Sequence, residues 1–169
     1  MHKLFLLFIV FIFFGCSENN SLQIHRGYAL GTSYNIQYSG IKFSFEEVQF
    51  GIDSLITVIN KSLSTYISNS DISKINSGDS LLVIDKHFKN IFYKATEVWT
   101  NSGGLFDPTV GAWVNAYGFG PEKPINFLTE EKKTYLSKIT GWNTIELTDK
   151  STIKKSHIDT YIDFNSLAK

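Results

Sequence analysis

Polar and apolar positions follow one another in blocks along this chain, and their period changes from block to block. Residues 24–38, IHRGYALGTSYNIQY, read as two strands joined near Gly31, with Tyr34, Ile36 and Tyr38 alternating with polar residues to give one buried face. From Ser44 the period lengthens. Val48, Ile52, Leu55, Ile56, Ile59 and Leu63 recur at helical spacing behind Ser44-Phe45-Glu46-Glu47, a capping box, so a helix is expected over about 45–61. SNSDISKINSG, 68–78, reads as a turn with a short helical piece, and Leu81–Ile84 as a brief strand. Asp85 can cap a second long helix with Phe88, Ile91, Phe92, Ala95, Val98 and Trp99 as its apolar stripe, ended by Asn101-Ser102-Gly103-Gly104. Thr129 opens a short helix to Ile139, which Gly141 stops. Trp142–Leu147 and Thr152–Lys155 suggest a hairpin around Thr148-Asp149-Lys150, Tyr161–Phe164 another strand, and Asn165 the start of a helix. These elements predict an α+β fold, a mixed sheet packed with helices in a single domain. Because the last element is a helix start, the expectation is a domain that is truncated at its C-terminus.

The N-terminus does not belong to that pattern. Met1-His2-Lys3 is followed by a continuous apolar run, residues 4–14, too short for an ordinary membrane span and suited to a signal h-region. Gly15-Cys16-Ser17 then resembles a bacterial lipobox, although Phe13 and Phe14 replace its usual Leu and small residue. The expectation is a lipoprotein-type signal peptide over 1–15 and lipidation at Cys16. The product would be an exported lipoprotein anchored in the membrane and facing the periplasm or cell surface, with its folded domain over 22–169. An ordinary signal peptide or an uncleaved anchor is the alternative.

Composition removes several classes. With 43% apolar and 15% aromatic residues the chain is globular. Sixteen basic and sixteen acidic residues leave no electrostatic case for nucleic acid. A single Cys excludes an intrachain disulfide framework and a zinc ribbon, and the four His are scattered. There is no P-loop, no GxGxxG and no nucleophile elbow.

One stretch stands apart. GGLFDPTVGAWVNAYGFGP, 103–121, has five glycines and four large aromatics but one charged side chain, Asp107, in front of Pro108. Pro108 favours extended backbone at Asp107, whose carboxylate can meet ligand donors or cap a helix over 108–111. Two more stretches matter with it: Ser64-Thr65-Tyr66 running on to Asn76, and Tyr161-Ile162-Asp163-Phe164-Asn165-Ser166-Leu167-Ala168-Lys169. With Ala29-Leu30-Gly31-Thr32 ahead of them, their order and spacing resemble the FAD:protein FMN transferases, the ApbE family, over essentially all of 24–169. FDPTVGAWVNAYGFGP is the specific part of that resemblance; the other two motifs are weaker.

The resemblance implies Mg²⁺-dependent cleavage of FAD, transfer of FMN to a Thr or Ser hydroxyl of an acceptor flavoprotein, and release of AMP. By the same resemblance Leu30, Tyr66, Leu105, Phe106, Asp107, Asp163 and Lys169 match flavin- or nucleotide-binding positions. Ser166 stands where the family offers a metal-ligating oxygen, a role a backbone carbonyl keeps. Plainer readings stand beside these: a strand-end core Leu30, Tyr66 packed under a loop, Asp107 and Asp163 as caps, and a solvated Lys169. Gly111, Gly118 and Gly120 are read as serving close packing. The family's remaining metal ligands and its catalytic segment are expected beyond Lys169, so the chain alone is expected to show no turnover. A flavin-binding lipoprotein without transfer, and a surface lipoprotein that uses its aromatics to contact glycans or proteins, are the rival readings.

Overall fold

The computed structural model describes residues 21–123, 125 and 127–167; Cys16 with its leader, and Lys169, lie outside them. Strands β1 (Gln23–Ala29) and β2 (Thr32–Tyr38) form an antiparallel hairpin paired from Gln23–Tyr38 to Ala29–Thr32. Leu30 and Gly31 make its two-residue turn with φ of 53° and 74°, the left-handed pair that matches strand twist. The expected buried face is only partly realised: Tyr34 and Tyr38 are half-buried, while Ile36 stays exposed. The buried hairpin residue is instead His25, whose ring stacks on Phe45 at 3.9 Å between centroids. Its Nδ1 meets Gln49 Oε1 at 2.8 Å and its Nε2 meets the Tyr38 hydroxyl at 2.9 Å. A satisfied polar ring thus pins the hairpin to the first helix.

That helix, α1 (Phe45–Leu63), has the expected capping box. Ser44 Oγ accepts from the Glu47 N–H at 3.1 Å, and the Ser44 N–H donates to Glu47 Oε2 at 2.8 Å. Helix α2 (Asp71–Asn76) is capped by Ser70, and α3 (Lys86–Asn101) by Asp85, which also accepts from Ser62 Oγ at 2.9 Å. Phe88, Phe92 and Ala95 of α3 meet Ile72, Ile75, Trp142, Ile153, Ile162 and Phe164 in the main core. Short helices α4 (Gly111–Ala116) and α5 (Glu130–Lys138) build a smaller cluster around Ala116, Leu136 and Ile139. A second antiparallel hairpin, β3 (Ile145–Leu147) and β4 (Ile153–Lys155), follows a 3₁₀ turn at Trp142–Thr144.

The α+β class holds, but the strands of the described residues form two small hairpins rather than one mixed sheet. Two predicted strands are not strands. Leu81–Ile84 is extended, with Leu82 and Ile84 turned inward, yet its tie to the neighbouring chain is one bond, Ile84 N–H to Ser151 O at 2.8 Å. Tyr161–Phe164 makes a single parallel bridge, Val110 to Tyr161. Alternation marks an extended chain with one side buried; it does not supply a ladder partner.

Lys155 on β4 braces the fold through backbone carbonyls, with the Asp159 charge only partly offsetting its burial. Its Nζ donates to the carbonyls of Asn76 and Thr160 at 3.2 and 2.9 Å, and burial lowers its pKa from 10.5 to about 8. Between those values the unfolded chain holds a proton the folded chain has lost, so stability rises with pH. Urea unfolding from pH about 8 to about 9.5 is expected to show this rise in the wild type and not in Lys155→Met.

Candidate functional site

Asp107 begins the site. Its Oδ1 accepts from the Thr109 N–H at 2.8 Å and the Thr109 hydroxyl at 2.5 Å, and its Oδ2 accepts from the Trp142 N–H at 3.0 Å. The fully buried Thr109 in turn accepts from the Gly141 N–H at 2.7 Å. The helix cap anticipated for 108–111 is therefore corrected. Helix α4 starts at Gly111 with Val110 as a cap that makes no side-chain bond, while Asp107 closes the turn before it. Pro108 is the reason, because it holds Asp107 extended and sends the carboxylate back over the next residues.

The third motif lies along this turn. The Asp163 N–H donates to Pro108 O at 2.8 Å beside the Val110–Tyr161 bridge. Gly111 permits that approach: a Cβ there would stand 3.0 Å from Tyr161 O and 3.2 Å from Asp163 Cβ. Gly118, with φ of 82°, serves the backbone turn after α4.

The first motif joins from the other side. Ser64 O accepts from Ser70 Oγ at 2.6 Å and Ser73 Oγ at 3.2 Å, which holds the Thr65–Tyr66 turn. Asn165 Nδ2 then donates to Thr65 Oγ1 at 3.1 Å. The Asn76 side chain donates to Ile162 O at 2.9 Å and accepts from the Ile162 N–H at 2.8 Å. Three stretches about 100 residues apart in the extreme are thereby tied into one polar junction.

Tyr66 is 63% exposed and is not packed under a loop. Leu105 is 94% exposed, whereas Phe106 lies half-buried against the main core. Leu30 is exposed at the hairpin tip, not in a core, and holds a left-handed φ that costs a non-glycine residue about 1–2 kcal/mol. Its hairpin is tied down through His25 to α1, so the junction gathers the Tyr66 turn, 105–107 and 163–166, with Leu30 held separately. Lys169 lies outside the described residues.

Asp163 is half-buried, and burial pushes its pKa up against the opposing bonds from Asn165, one of which, N–H to Oδ1, measures 2.7 Å. It thus closes the turn ahead of the 3₁₀ helix Asn165–Leu167 with the same bond to the second residue on that Asp107 makes, and is not the residue that immediately precedes that helix. A carboxylate whose folded pKa is raised loses stability as pH climbs past the unfolded value, so its charge weakens the fold at neutral pH. Asp163→Asn keeps an acceptor oxygen for that turn and sheds the charge; a higher thermal midpoint is expected by calorimetry at pH 7 and no gain at pH about 3.

Ser166 is exposed one turn on. Mg²⁺ asks for near-octahedral oxygen ligands, and the described junction offers the Asp163 carboxylate and the oxygens of Ser166. Among the described residues no group of three His, Cys, Asp or Glu could hold a metal. These residues do not compose the cation site by themselves.

The residues that assemble the junction, Asn76, Thr109, Trp142 and Asn165, are not among the predicted site residues. Asn76 merely ends the first of the three stretches, and its pairing with Ile162 has no signal in the pattern. The other three act through backbone, hydroxyl or amide bonds that no spacing rule reports.

A mixed α+β fold around such a junction defines a domain that presents polar turns and the exposed Tyr66 and Leu105 at its surface. The chain belongs to the ApbE family, whose model matches residues 30–169. It is 32% identical over 162 residues to an FAD:protein FMN transferase of Vibrio cholerae, covering 92% of this chain and 48% of that protein. It is 28% identical to the Haemophilus influenzae protein of the same name, covering 91% and 47%. Among solved structures, a variant of the flavin transferase ApbE from Vibrio cholerae superposes with a TM-score of 0.81 at 28% identity, over 88% of this chain and 52% of that one. A flavinyl transferase ApbE from Pseudomonas stutzeri shares the fold with a TM-score of 0.80 at 21% identity, over 88% and 51%. The chain spans about half the length of these relatives.

Proposed function

We propose that this chain supplies the flavin-holding part of an FAD:protein FMN transferase. The observation that carries the reading is the junction itself, where three separated motifs meet through the Asp163–Pro108, Asn165–Thr65 and Asn76–Ile162 bonds. The names of its relatives support flavin transfer. In this reading the open face of Tyr66 stacks on a ring of FAD, Leu105 and Phe106 give apolar contact, and Asp107 and Asp163 face polar groups of the nucleotide. Leu30 touches the same ligand from the hairpin tip, and Lys169 meets the pyrophosphate.

In the complete reaction an acceptor Thr or Ser oxygen bonds to the FMN phosphorus, the pyrophosphate P–O bond breaks, the hydroxyl proton departs and AMP leaves. Mg²⁺ would supply charge neutralisation at the pyrophosphate, with an oxygen of Ser166 among its ligands. No catalytic residue is assigned within this chain. Attachment through a lipidated Cys16, facing the periplasm or cell surface, would place the enzyme beside exported flavoproteins.

A flavin-binding lipoprotein without transfer is the second reading, favoured by the incomplete metal-ligand set among the described residues. Incubation with FAD, Mg²⁺ and a Thr-bearing acceptor tests whether this chain transfers FMN by itself. FAD binding without AMP release or a fluorescent acceptor band is expected of this chain alone. Transfer by the chain alone would show that it carries the full catalytic set.

A further inference from the structure

Among the described residues, the segment that carries Asp163 pairs with backbone along one edge and with a side chain along the other. Along the first edge it runs beside Pro108–Val110, through the Asp163 N–H to Pro108 O bond at 2.8 Å and the parallel bridge at Tyr161. On the second edge stands the side chain of Asn76. Its amide gives one bond and takes one, to Ile162 O at 2.9 Å and from the Ile162 N–H at 2.8 Å. A planar amide that pairs with both polar groups of one residue does what a strand neighbour does: it sets distance, tilt and register together.

Asn76 is itself held. It closes α2, whose cap Ser70 is bonded to Ser64 O, and its backbone carbonyl accepts from Lys155 Nζ at 3.2 Å. Ile162 is fully buried, so the paired groups have no water to fall back on. The next residue is Asp163, and two further on Asn165 reaches Thr65.

We infer that Asn76 is a positioning residue that pairs with Ile162 as a strand neighbour would, setting Asp163 and the Thr65–Tyr66 turn against the 107–109 turn. The inference takes its ligand from the flavin-transferase reading and its geometry from the ligand-free fold, so each can be tested apart.

The experiment compares the full chain with Asn76→Ala and Asn76→Asp, with Ile84→Val as a core variant on the segment bonded to Ser151. Asn76→Asp keeps the shape and the acceptor but sets a carboxylate oxygen against Ile162 O. In the ligand-free protein, amide exchange at Ile162 and Asp163 is expected to quicken by at least about tenfold in both Asn76 variants, with Ile84→Val changing it no more than the rest of the chain. FAD affinity, read by flavin fluorescence, should fall by at least about tenfold in both Asn76 variants and hold in Ile84→Val. Unchanged exchange at Ile162 would overturn the inference, as would FAD affinity retained by Asn76→Asp. Should the wild-type chain bind no FAD, the function proposed above falls, and the exchange measurement decides the inference by itself.

Discussion

Asp107→Ala is expected to lower stability by about 3–5 kcal/mol, a large share of what a domain of this size possesses. The substitution removes the acceptor for three donors, the Thr109 N–H, the Thr109 hydroxyl and the Trp142 N–H. Thr109 and Trp142 are both buried, so the freed groups find little water. Bonds to an ionised carboxylate are stronger than neutral ones, and leaving their partners orphaned adds the desolvation of each. The loss should extend beyond the turn, because Asp107 and Thr109 together hold the 141–142 loop, and Trp142 packs on Phe92 and Phe164. Asp107→Asn keeps one acceptor oxygen and should lose roughly half as much. Urea unfolding monitored by tryptophan fluorescence measures both. A fully stable Asp107→Ala protein that merely fails to bind FAD would reduce Asp107 to a ligand contact.

Gly111→Val is expected to cost about 2–3 kcal/mol and to open the junction. Even a Cβ would overlap Tyr161 Cδ1 and stand against Tyr161 O and Asp163 Cβ, and a ring carbon so near its own backbone cannot swing clear as a flexible end could. The displaced segment would take Asp163 away from Pro108 and Asn165 away from Thr65. Gly111→Ala should do the same more mildly. The stability loss comes from unfolding curves, and the local opening from faster exchange of the Asp163 amide. If Gly111→Val left that exchange unchanged, the close approach would not be what holds the segment.

Helices α1, α2, α3 and α5 were legible because their signals are local, whereas α4, with no side-chain cap, was not predicted over Gly111–Ala116. Ser44 with Glu47, Asp85 and Thr129 cap helices as read, and Ser70 caps the short helical piece expected within 68–78. The strands were legible only where a hairpin supplied its own partner, as at Leu30-Gly31 and across β3 and β4. At Leu81–Ile84 and Tyr161–Phe164 the alternation was real, but the partners are one carbonyl for the first and, for the second, a single bridge to Val110 with an Asn side chain on the other edge, which no periodicity announces. The same limit applied to the site. The sequence pattern pointed at Asp107 and Asp163, and the structure shows both also bonding within the chain. It did not point at Asn76 or Thr109, whose work depends on residues 86 and 32 positions away. His25 reads as an isolated polar residue in a strand and proves to be the hairpin's buried anchor.

Titration of FAD into the purified full chain, followed by quenching of flavin fluorescence, tests the flavin-holding role most directly. The reading predicts saturable binding, weakened by at least about tenfold in Tyr66→Ala, where a stacking face is removed, and in Asp163→Asn, which keeps the fold. Absence of saturable binding by the wild type, or affinity untouched by both substitutions, would contradict it.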